Sequence, residues 1–283
     1  MIIATSVILA VVLIMLSLLY VRSHVYSREL SSAIWTGDAE KIDSLLEKPG
    51  DANSFDYFTS VASLMGGYPE TPLMVACGQN DFDTIKRLVE EKKVNINKNN
   101  RRASPLTTAI AGGKLVPYER MLEISNYLID YGADVFFVDT YGDGVSVYHQ
   151  LVGRRSIWNI DGSINSDLEE KEYELFLRIV EQGVPLNKEF SSGHSILSYA
   201  VRGERLEIVK YLVEEANLDV NEANVMGMTP LMHASSYVVP STSCAEYLLS
   251  KGADKTIRDN RGKTAFDYAM EKNHTELISL LQE

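Results

Sequence analysis

The sequence contains little cysteine and no excess of basic residues. Only Cys77 and Cys244 are present among 283 residues, and their wide separation argues against a disulfide framework or a cysteine metal cluster. Lysine and arginine number 27 against 39 acidic residues, which gives a formal net charge of −12. Because nucleic acid phosphates require a basic surface, this charge argues against a nucleic acid partner. Such a charge keeps a protein soluble and would steer a basic protein partner towards it.

The sequence also lacks the motifs of enzymes and of cofactor-binding proteins. No glycine-rich loop precedes a Lys-Ser or Lys-Thr pair, so nucleotide phosphates have no binding loop. Gly193-His194-Ser195 lacks the Gly-x-Ser-x-Gly frame of a nucleophile elbow. No two histidines have the helical spacing of a metal site; they are His24, His149, His194, His233 and His274. We therefore predict no catalytic residue, no cofactor and no metal, and a protein that is not an enzyme.

A long apolar run lies near the beginning of the sequence. Residues Ile2 to Val21 include no charged side chain and are rich in Val, Ile and Leu. A helix of about 20 such residues crosses the hydrocarbon core of a bilayer. A cleaved signal peptide is the alternative, but the run has neither a basic segment before it nor a clear small-residue cleavage site. We predict a single-pass transmembrane anchor over residues 1–22; whether it is ever cleaved stays open.

The basic residues beside this run indicate its orientation. Arg22 and Arg28 follow the run and no lysine or arginine precedes it. Positive residues are enriched on the cytoplasmic side of membrane spans. This favours a cytoplasmic location for the rest of the chain, with the periplasmic or another extracytoplasmic side left open because the difference is two residues.

A Leu-x-x-Ala pair recurs after the apolar run. The pairs are Leu30/Ala33, Leu73/Ala76, Leu106/Ala109, Leu197/Ala200 and Leu231/Ala234, with Phe266/Ala269 as an aromatic variant. Residues three apart lie on one face of a helix, and each pair is followed by a turn and a second amphipathic stretch. Recurrence of this kind, with a period of about 33 residues, indicates a repeat protein built from pairs of helices.

Short motifs around these pairs resemble the ankyrin repeat family. A cap-and-proline dipeptide precedes the Leu, where Ser or Thr caps the first helix and Pro occupies its first position: Thr71-Pro72, Ser104-Pro105 and Thr229-Pro230. An element that ends the second helix and leads into a β-hairpin finger is matched by Gly132-Ala133-Asp134 and Gly252-Ala253-Asp254. The family's Thr-Pro-Leu-His-x-Ala signature lacks its His, which is replaced by Met74, Thr107, Ser198 and Met232.

The resemblance covers residues 27–283 and implies an all-α repeat solenoid. We expect an ankyrin repeat array of about six to seven helix pairs, preceded by one transmembrane helix. The repeat domain occupies residues 23–283, with pairs at residues 27–50, 70–98, 103–134, 144–185, 194–219, 228–254 and 263–283.

The fourth pair allows two registers. Either Gly144 takes the Thr position, or Ser146 is the cap and Tyr148 and Leu151 take the Leu and Ala positions. We prefer the second register because it buries more apolar surface.

Long connections and finger tips supply the candidate binding residues. Three inter-helix connections are lengthened, at residues 112–119, 153–167 and 235–243, and an insertion occupies residues 54–70. Aromatic residues in such loops serve binding, or alternatively pack back on the helices. In this family, partners are usually held by finger tips and the exposed part of the first helices. The candidate partner-binding residues are Arg101, Arg102, Tyr141, Trp158, Phe190, Met226, Tyr237 and Arg261.

These features favour a binding protein over an enzyme. We expect a membrane-anchored protein–protein interaction module, held through Ile2–Val21, that binds a protein partner as an inhibitor or immunity-type protein. Short bacterial-style chains with an anchor and ankyrin repeats resemble neutralising partners of toxic effectors. The alternative is a membrane-proximal structural scaffold that organises several partners, and an enzyme is a distant third. The sequence does not define an oligomeric state.

Overall fold

The computed structural model describes residues 2–54, 69–111, 118–139, 146–153, 165–186, 194–237 and 241–282, with side chains from Val12 onward. The chain forms two compact units, Met1–Asp134 and Val135–Glu283. Regular secondary structure in the described residues is helical, and an isolated antiparallel bridge joins Val138 and Ser146. The all-α class expected from the sequence is confirmed for these residues.

The described residues of unit 1 form three helix pairs. Its helices are α1 (Ile2–Thr36), α2 (Ala39–Glu47), α3 (Pro72–Gln79), α4 (Phe82–Glu90), α5 (Pro105–Ala111) and α6 (Tyr118–Asp130). The first helices stack in the order α1, α3, α5, and each packs on its own second helix, α2, α4 or α6. Each pair therefore buries its apolar face partly against its neighbour, as repeat proteins require.

In the described part of unit 2, four helix pairs are arranged in the same way. Its helices are α7 (Val147–Val152), α8 (Ser166–Val180), α9 (Ile196–Gly203), α10 (Leu206–Glu214), α11 (Pro230–Ser236), α12 (Thr242–Ser250), α13 (Ala265–Lys272) and α14 (Thr275–Gln282). The first helices α7, α9, α11 and α13 stack in order, and the second helices α8, α10, α12 and α14 form a parallel row beside them.

The recurring Leu and Ala residues form the core between first helices. All ten residues of the five Leu-x-x-Ala pairs are buried, and so is Ala269 of the aromatic variant. Phe266 differs because it is only half-buried. Its helix α13 packs against the neighbouring first helix α11 on one side, which leaves part of the ring exposed.

Local caps explain where the first helices begin. Thr71, Ser195 and Thr229 each accept a hydrogen bond from the backbone N–H three residues later, at 3.3 to 3.4 Å. Thr264 forms a capping box with Asp267, in which each side chain bonds the other residue's backbone N–H. These bonds satisfy donors that a helix N-terminus leaves without an intrahelical partner.

The irregular fourth pair has the register in which Ser146 is the N-cap. Helix α7 begins at Val147, and Tyr148 and Leu151 are buried at the Leu and Ala positions. The Ser146 hydroxyl does not cap the helix, because it is hydrogen-bonded to His149 Nδ1 at 2.6 Å. His149 is buried, and burial lowers its pKa to about 3.

A buried ion pair ties two second helices of unit 2 together. Arg205, at the N-cap of α10, places Nε 2.6 Å from Glu172 Oε2 of α8, and both side chains are 1% exposed. The Arg205 guanidinium also donates to the carbonyl of Gly203 at 3.1 Å. Removing one partner of such a pair leaves a buried charge without its counterion.

Asparagine side chains link successive fingers. Asn97 accepts from Asp134 N at 2.7 Å and donates to Gly132 O at 2.9 Å. Asn221 makes the corresponding bonds to Asp254 N at 2.8 Å and Gly252 O at 3.3 Å. The described fingers form no β-strands; their tips are closed by single backbone hydrogen bonds, such as Asn224 N to Met228 O at 3.0 Å and Asp259 N to Lys263 O at 2.9 Å.

Helix α1 extends without interruption from Ile2 to Thr36. Its second half buries Leu30, Ala33 and Ile34 in the first repeat, whereas its large apolar side chains from Val12 to Val21 are exposed. The sequence-derived boundary at residue 22 therefore falls inside a helix. The side chains of residues 1–11 lie outside the described part of the chain.

Among the residues that the structure describes, none of the helices combines the length and the apolar character required to cross a bilayer. The anchor over residues 1–22 stays a prediction.

Loss of one charge of the Arg205–Glu172 pair should destabilise unit 2 strongly. We expect Glu172→Leu to lower the free energy of unfolding by about 3–5 kcal/mol, because it leaves the buried Arg205 guanidinium without a counterion. The double variant Glu172→Leu/Arg205→Met should lie within about 1 kcal/mol of the wild type or above it. Chemical denaturation measures both. Glu207→Gln, which breaks the exposed Lys210–Glu207 pair, is the control and should cost less than about 1 kcal/mol.

Unit 2 should lose stability as the pH falls from 7 to 5. His149 and His233 are buried and have pKa values of about 3, because burial disfavours their charged form. Since the unfolded chain binds protons near pH 6.5 and the folded chain does not, each histidine should cost about 2 kcal/mol at pH 5.

The pH effect can be assigned by substitution and urea unfolding. His233→Asn should remove about half of the loss between pH 7 and pH 5. The pKa of Asp267 is lowered by hydrogen bonds from Thr264. Its contribution to the free energy of unfolding therefore begins to fall only below about pH 4 and does not affect the range from pH 7 to pH 5. A free energy of unfolding that is constant between pH 7 and pH 5 would contradict neutral buried histidines.

Candidate binding surface

Three finger tips are built on the same side-chain-supported turn. The Asn224 side-chain oxygen accepts from the backbone N–H groups of Met226 and Met228, both at 2.9 Å. Asp259 accepts in the same way from Arg261 and Lys263, both at 2.9 Å. In unit 1, Asn100 accepts from Arg102 at 3.1 Å and Ala103 at 2.8 Å. Asx turns of this kind fix a short loop locally.

The unit 1 tip is one residue shorter, and it places an arginine in a left-handed conformation. Gly227 and Gly262 have φ values of 76° and 77° in the unit 2 tips, whereas Arg101 has φ 70°. A side chain with a Cβ adopts this conformation at a cost of about 1–2 kcal/mol. Arg101 and Arg102 are both exposed on this tip. Strained non-glycine residues of this kind cluster at functional sites.

The two described tips of unit 2, at residues 224–228 and 259–263, are joined to each other. Asn260 donates its backbone N–H to Met226 O at 2.9 Å and its side-chain amide to Val225 O at 3.0 Å. Gly227 lies so close to Asn260 that a Cβ there would be 2.9 Å from its side-chain oxygen. The paired tips therefore hold Val225 and Met226, which are 66% and 42% exposed, beside the exposed Arg261.

The base of these tips is fixed by histidines. The Asn224 side-chain amide donates to His194 Nδ1 at 3.2 Å and His233 Nε2 at 3.4 Å, and the two imidazole rings are 5.0 Å apart. Burial, together with electrostatic repulsion from His194 and Arg202, lowers the pKa of His233 to about 3. His233 is therefore neutral and accepts a hydrogen bond, which is a structural role.

Tyr237 has an intramolecular role in the structure. It is half-buried at the end of α11, and its carbonyl accepts a hydrogen bond from His274 Nε2 at 2.6 Å. The Arg202 guanidinium lies 4.9 Å from the centre of the Tyr237 ring and 5.3 Å from that of Tyr199. Cation–π contacts of this kind stabilise the side chains that form them.

The described candidate residues are distributed over both units. Unit 1 carries Arg101 and Arg102, and unit 2 carries Met226, Arg261 and Tyr237, of which the paired tips bring Met226 and Arg261 together. Tyr141, Trp158 and Phe190 lie outside the described residues, as do residues 55–68, 112–117, 154–164 and 238–240 of the insertion and the long connections.

Sequence reasoning did not single out Val225 within its predicted finger tip, and it missed the contact of Arg202 with Tyr237. Val225 adjoins Met226 between the turn residues Asn224 and Gly227, and an apolar residue at such an exposed position was a usable signal. The Arg202–Tyr237 contact joins α9 to the residue that follows α11, so no local pattern indicates it. Among the described residues, no group of three or more His, Cys, Asp or Glu side chains is placed to hold a metal ion.

Stacked helix pairs joined by short turns define a helical repeat protein. The model of the ankyrin repeat family, described as ankyrin repeats in three copies, matches residues 30–139 and 168–259. The chain belongs to the ankyrin repeat family. Proteins of this family generally mediate protein–protein interactions, and they are typically not enzymes.

Three curated relatives match this chain, two of them over about three quarters of its length. Alpha-latrocrustotoxin-Lt1a of Latrodectus tredecimguttatus is 27% identical over 218 residues, which is 74% of this chain and 14% of the toxin. YahD, an ankyrin repeat protein of Escherichia coli (strain K12), is 28% identical over 212 residues, 74% of this chain and 92% of YahD. The ankyrin repeat and SAM domain-containing protein 6 of Rattus norvegicus is 42% identical over 85 residues, 29% of this chain and 9% of that protein.

Arg101→Gly should stabilise the unit 1 tip by removing backbone strain. Glycine adopts the φ of 70° at Arg101 without a Cβ penalty, so we expect the free energy of unfolding to rise by about 0.5–1 kcal/mol. Arg102→Gly is the matched control, because Arg102 is not in the left-handed region and should lose stability. Urea unfolding distinguishes them; a loss of stability in Arg101→Gly as large as that in Arg102→Gly would contradict strain at residue 101.

Proposed function

We propose that this protein is a membrane-held binding module that captures a protein partner on its finger tips. The observation that carries the proposal is the pair of joined tips in unit 2, where Val225, Met226 and Arg261 are exposed on a hydrogen-bonded base. Arginine and large side chains contribute most to binding when an interface excludes water. Membership of the ankyrin repeat family supports a protein as the ligand.

Rigidity of the tips supports binding rather than a purely structural role. Each tip is fixed by bonds to an Asn or Asp side chain, and Asn260 joins two of them. A preformed surface loses less conformational entropy when it binds. The acidic net charge of −12 favours a basic partner through long-range attraction. Arg101, Arg102 and Arg261 would then serve local contacts and not the overall attraction.

The exposed apolar part of α1 supports attachment to a membrane. Val12 to Val21 project large apolar side chains to the outside and continue an uncharged sequence that begins at Ile2. Helices of this composition are stable in a bilayer, where their backbone groups are satisfied internally. Arg22 and Arg28 follow the run and favour a cytoplasmic location for the repeats.

Two roles fit a membrane-held binding module. In the first, the repeats bind one partner tightly and block its activity, as an inhibitor or immunity-type protein does. In the second, they organise several partners weakly beside the membrane. The joined unit 2 tips favour the first role, because a preformed surface with apolar and basic contacts suits one complementary partner.

Capture from solubilised membranes with the full chain tests the proposal. We expect a defined protein to copurify in fixed proportion, and Met226→Glu and Arg261→Glu to lower its recovery at least about tenfold by placing a charge in a desolvated interface. Lys272→Glu makes the same charge change as Arg261→Glu at an exposed site in the last turn of α13 and should have little effect.

Each outcome of the capture experiment has a separate meaning. Equal loss with all three variants would contradict a binding site at the tips. Weak recovery of several proteins, insensitive to the tip variants, would support the scaffold role. Circular dichroism at equal concentration verifies that each variant is folded.

A further inference from the structure

A groove of about 730 Å³ lies between α1 and the loop that follows α2. Its apolar wall consists of side chains from α1 and from the end of α2, including Leu18, Leu19, Val21, Val25 and Leu45. Pro49 and Gly50 form part of the opposite wall. The groove thus starts on the exposed apolar part of α1 and ends on the first repeat.

Hydrogen bonds fix the two walls of this groove relative to each other. Ser23 Oγ donates to Asp51 Oδ2 and Ser27 Oγ donates to Asp51 O, both at 2.9 Å. Tyr26 donates its hydroxyl proton to Leu45 O at 2.9 Å. Gly50 lies so close to Tyr26 that a Cβ would overlap the ring. The groove is therefore part of the folded repeat and not a gap beside a loosely attached helix.

The charged groups at the groove favour an anion at its mouth. Arg22 and Lys48 line the groove, and Lys92 donates to Lys48 O at 2.7 Å with its Nζ 5.9 Å from the centre of the Tyr26 ring. Of the two carboxylates that line the groove, Asp51 is bonded to Ser23 and to the N–H of Asn53, and Glu29 lies about 10 Å along α1 from Arg22. Along α1, Arg22 is therefore adjacent to the Leu18–Val21 part of the apolar wall, whereas Glu29 lies about 12 Å beyond Val21.

We propose that this groove binds one anionic phospholipid, with an acyl chain along Leu18, Leu19 and Val21 and the phosphate near Arg22, Lys48 and Lys92. The inference rests on the membrane attachment proposed above. Along the helix, Leu18 and Val25 are separated by about 10 Å. This length matches the passage from hydrocarbon to headgroups at one face of a bilayer, if Val21 marks the boundary. The lipid would fix the first repeat at the membrane surface.

Photo-crosslinking of the full chain in nanodiscs tests the groove directly. A benzophenone amino acid at Val25, which is 50% exposed and lines the groove, should form adducts with phosphatidylglycerol. The matched control is the same amino acid at Trp35, which is 49% exposed on the same helix and about 15 Å further along it. That position should give no lipid adduct.

Charge variants and lipid composition test selectivity. We expect phosphatidylglycerol nanodiscs to give at least about tenfold more adduct at Val25 than phosphatidylcholine nanodiscs. Lys48→Glu/Lys92→Glu should abolish this preference, whereas Lys251→Glu/Lys272→Glu, with the same charge change in unit 2, should preserve it. Equal adducts from both lipids, or adducts at Val25 with residues 55–68 or with a copurified protein, would overturn the proposal.

Alkaline extraction of membranes separates failure of the groove from failure of the attachment. A full chain that is released by carbonate at high pH is not held by a membrane helix, and the lipid proposal falls with it. A chain that resists extraction but forms no lipid adduct at Val25 overturns the groove alone. Partner capture by the unit 2 tips is measured independently of both.

Discussion

Stacking of successive first helices through their Leu and Ala positions is the contact on which both units depend. A single helix pair cannot bury its apolar face, so each pair is stable only against its neighbours. Leu30 and Ala33 place α1 in this stack, and α1 packs directly on α3. The helix that carries the exposed apolar residues is therefore also a member of the repeat core.

Much of the repeat pattern could be predicted because its signals are local. The caps Thr71 and Thr229 and the positions of the Leu-x-x-Ala pairs lie within one turn of each other, so sequence spacing suffices to place them. The Ser146 register could also be predicted, because it places the apolar residues Tyr148 and Leu151 at core positions, where both are buried. The continuity of α1 beyond residue 22 was not, since it depends on packing against α2 and α3.

The candidate site was predictable only in part. Its finger-tip positions follow from the repeat, and Arg101, Met226 and Arg261 are exposed at such tips. The contacts that make the tips rigid join distant residues, such as Asn260 with Val225 and Asn224 with His194. The same holds for the Glu172–Arg205 pair. Tertiary contacts of this type leave no periodic signal in a sequence, and they decide which exposed residues are held in a fixed arrangement.

A distance measurement along α1 is the most direct test that one helix serves both the exposed apolar segment and the repeat core. Spin labels at Leu13→Cys and Trp35→Cys would report it, because both positions are exposed and the native Cys77 and Cys244 are fully buried. An uninterrupted helix predicts a narrow distribution near about 33 Å in detergent-solubilised full-length protein. A broad distribution, or a main distance below about 25 Å, would show a break between the two halves and contradict the single helix.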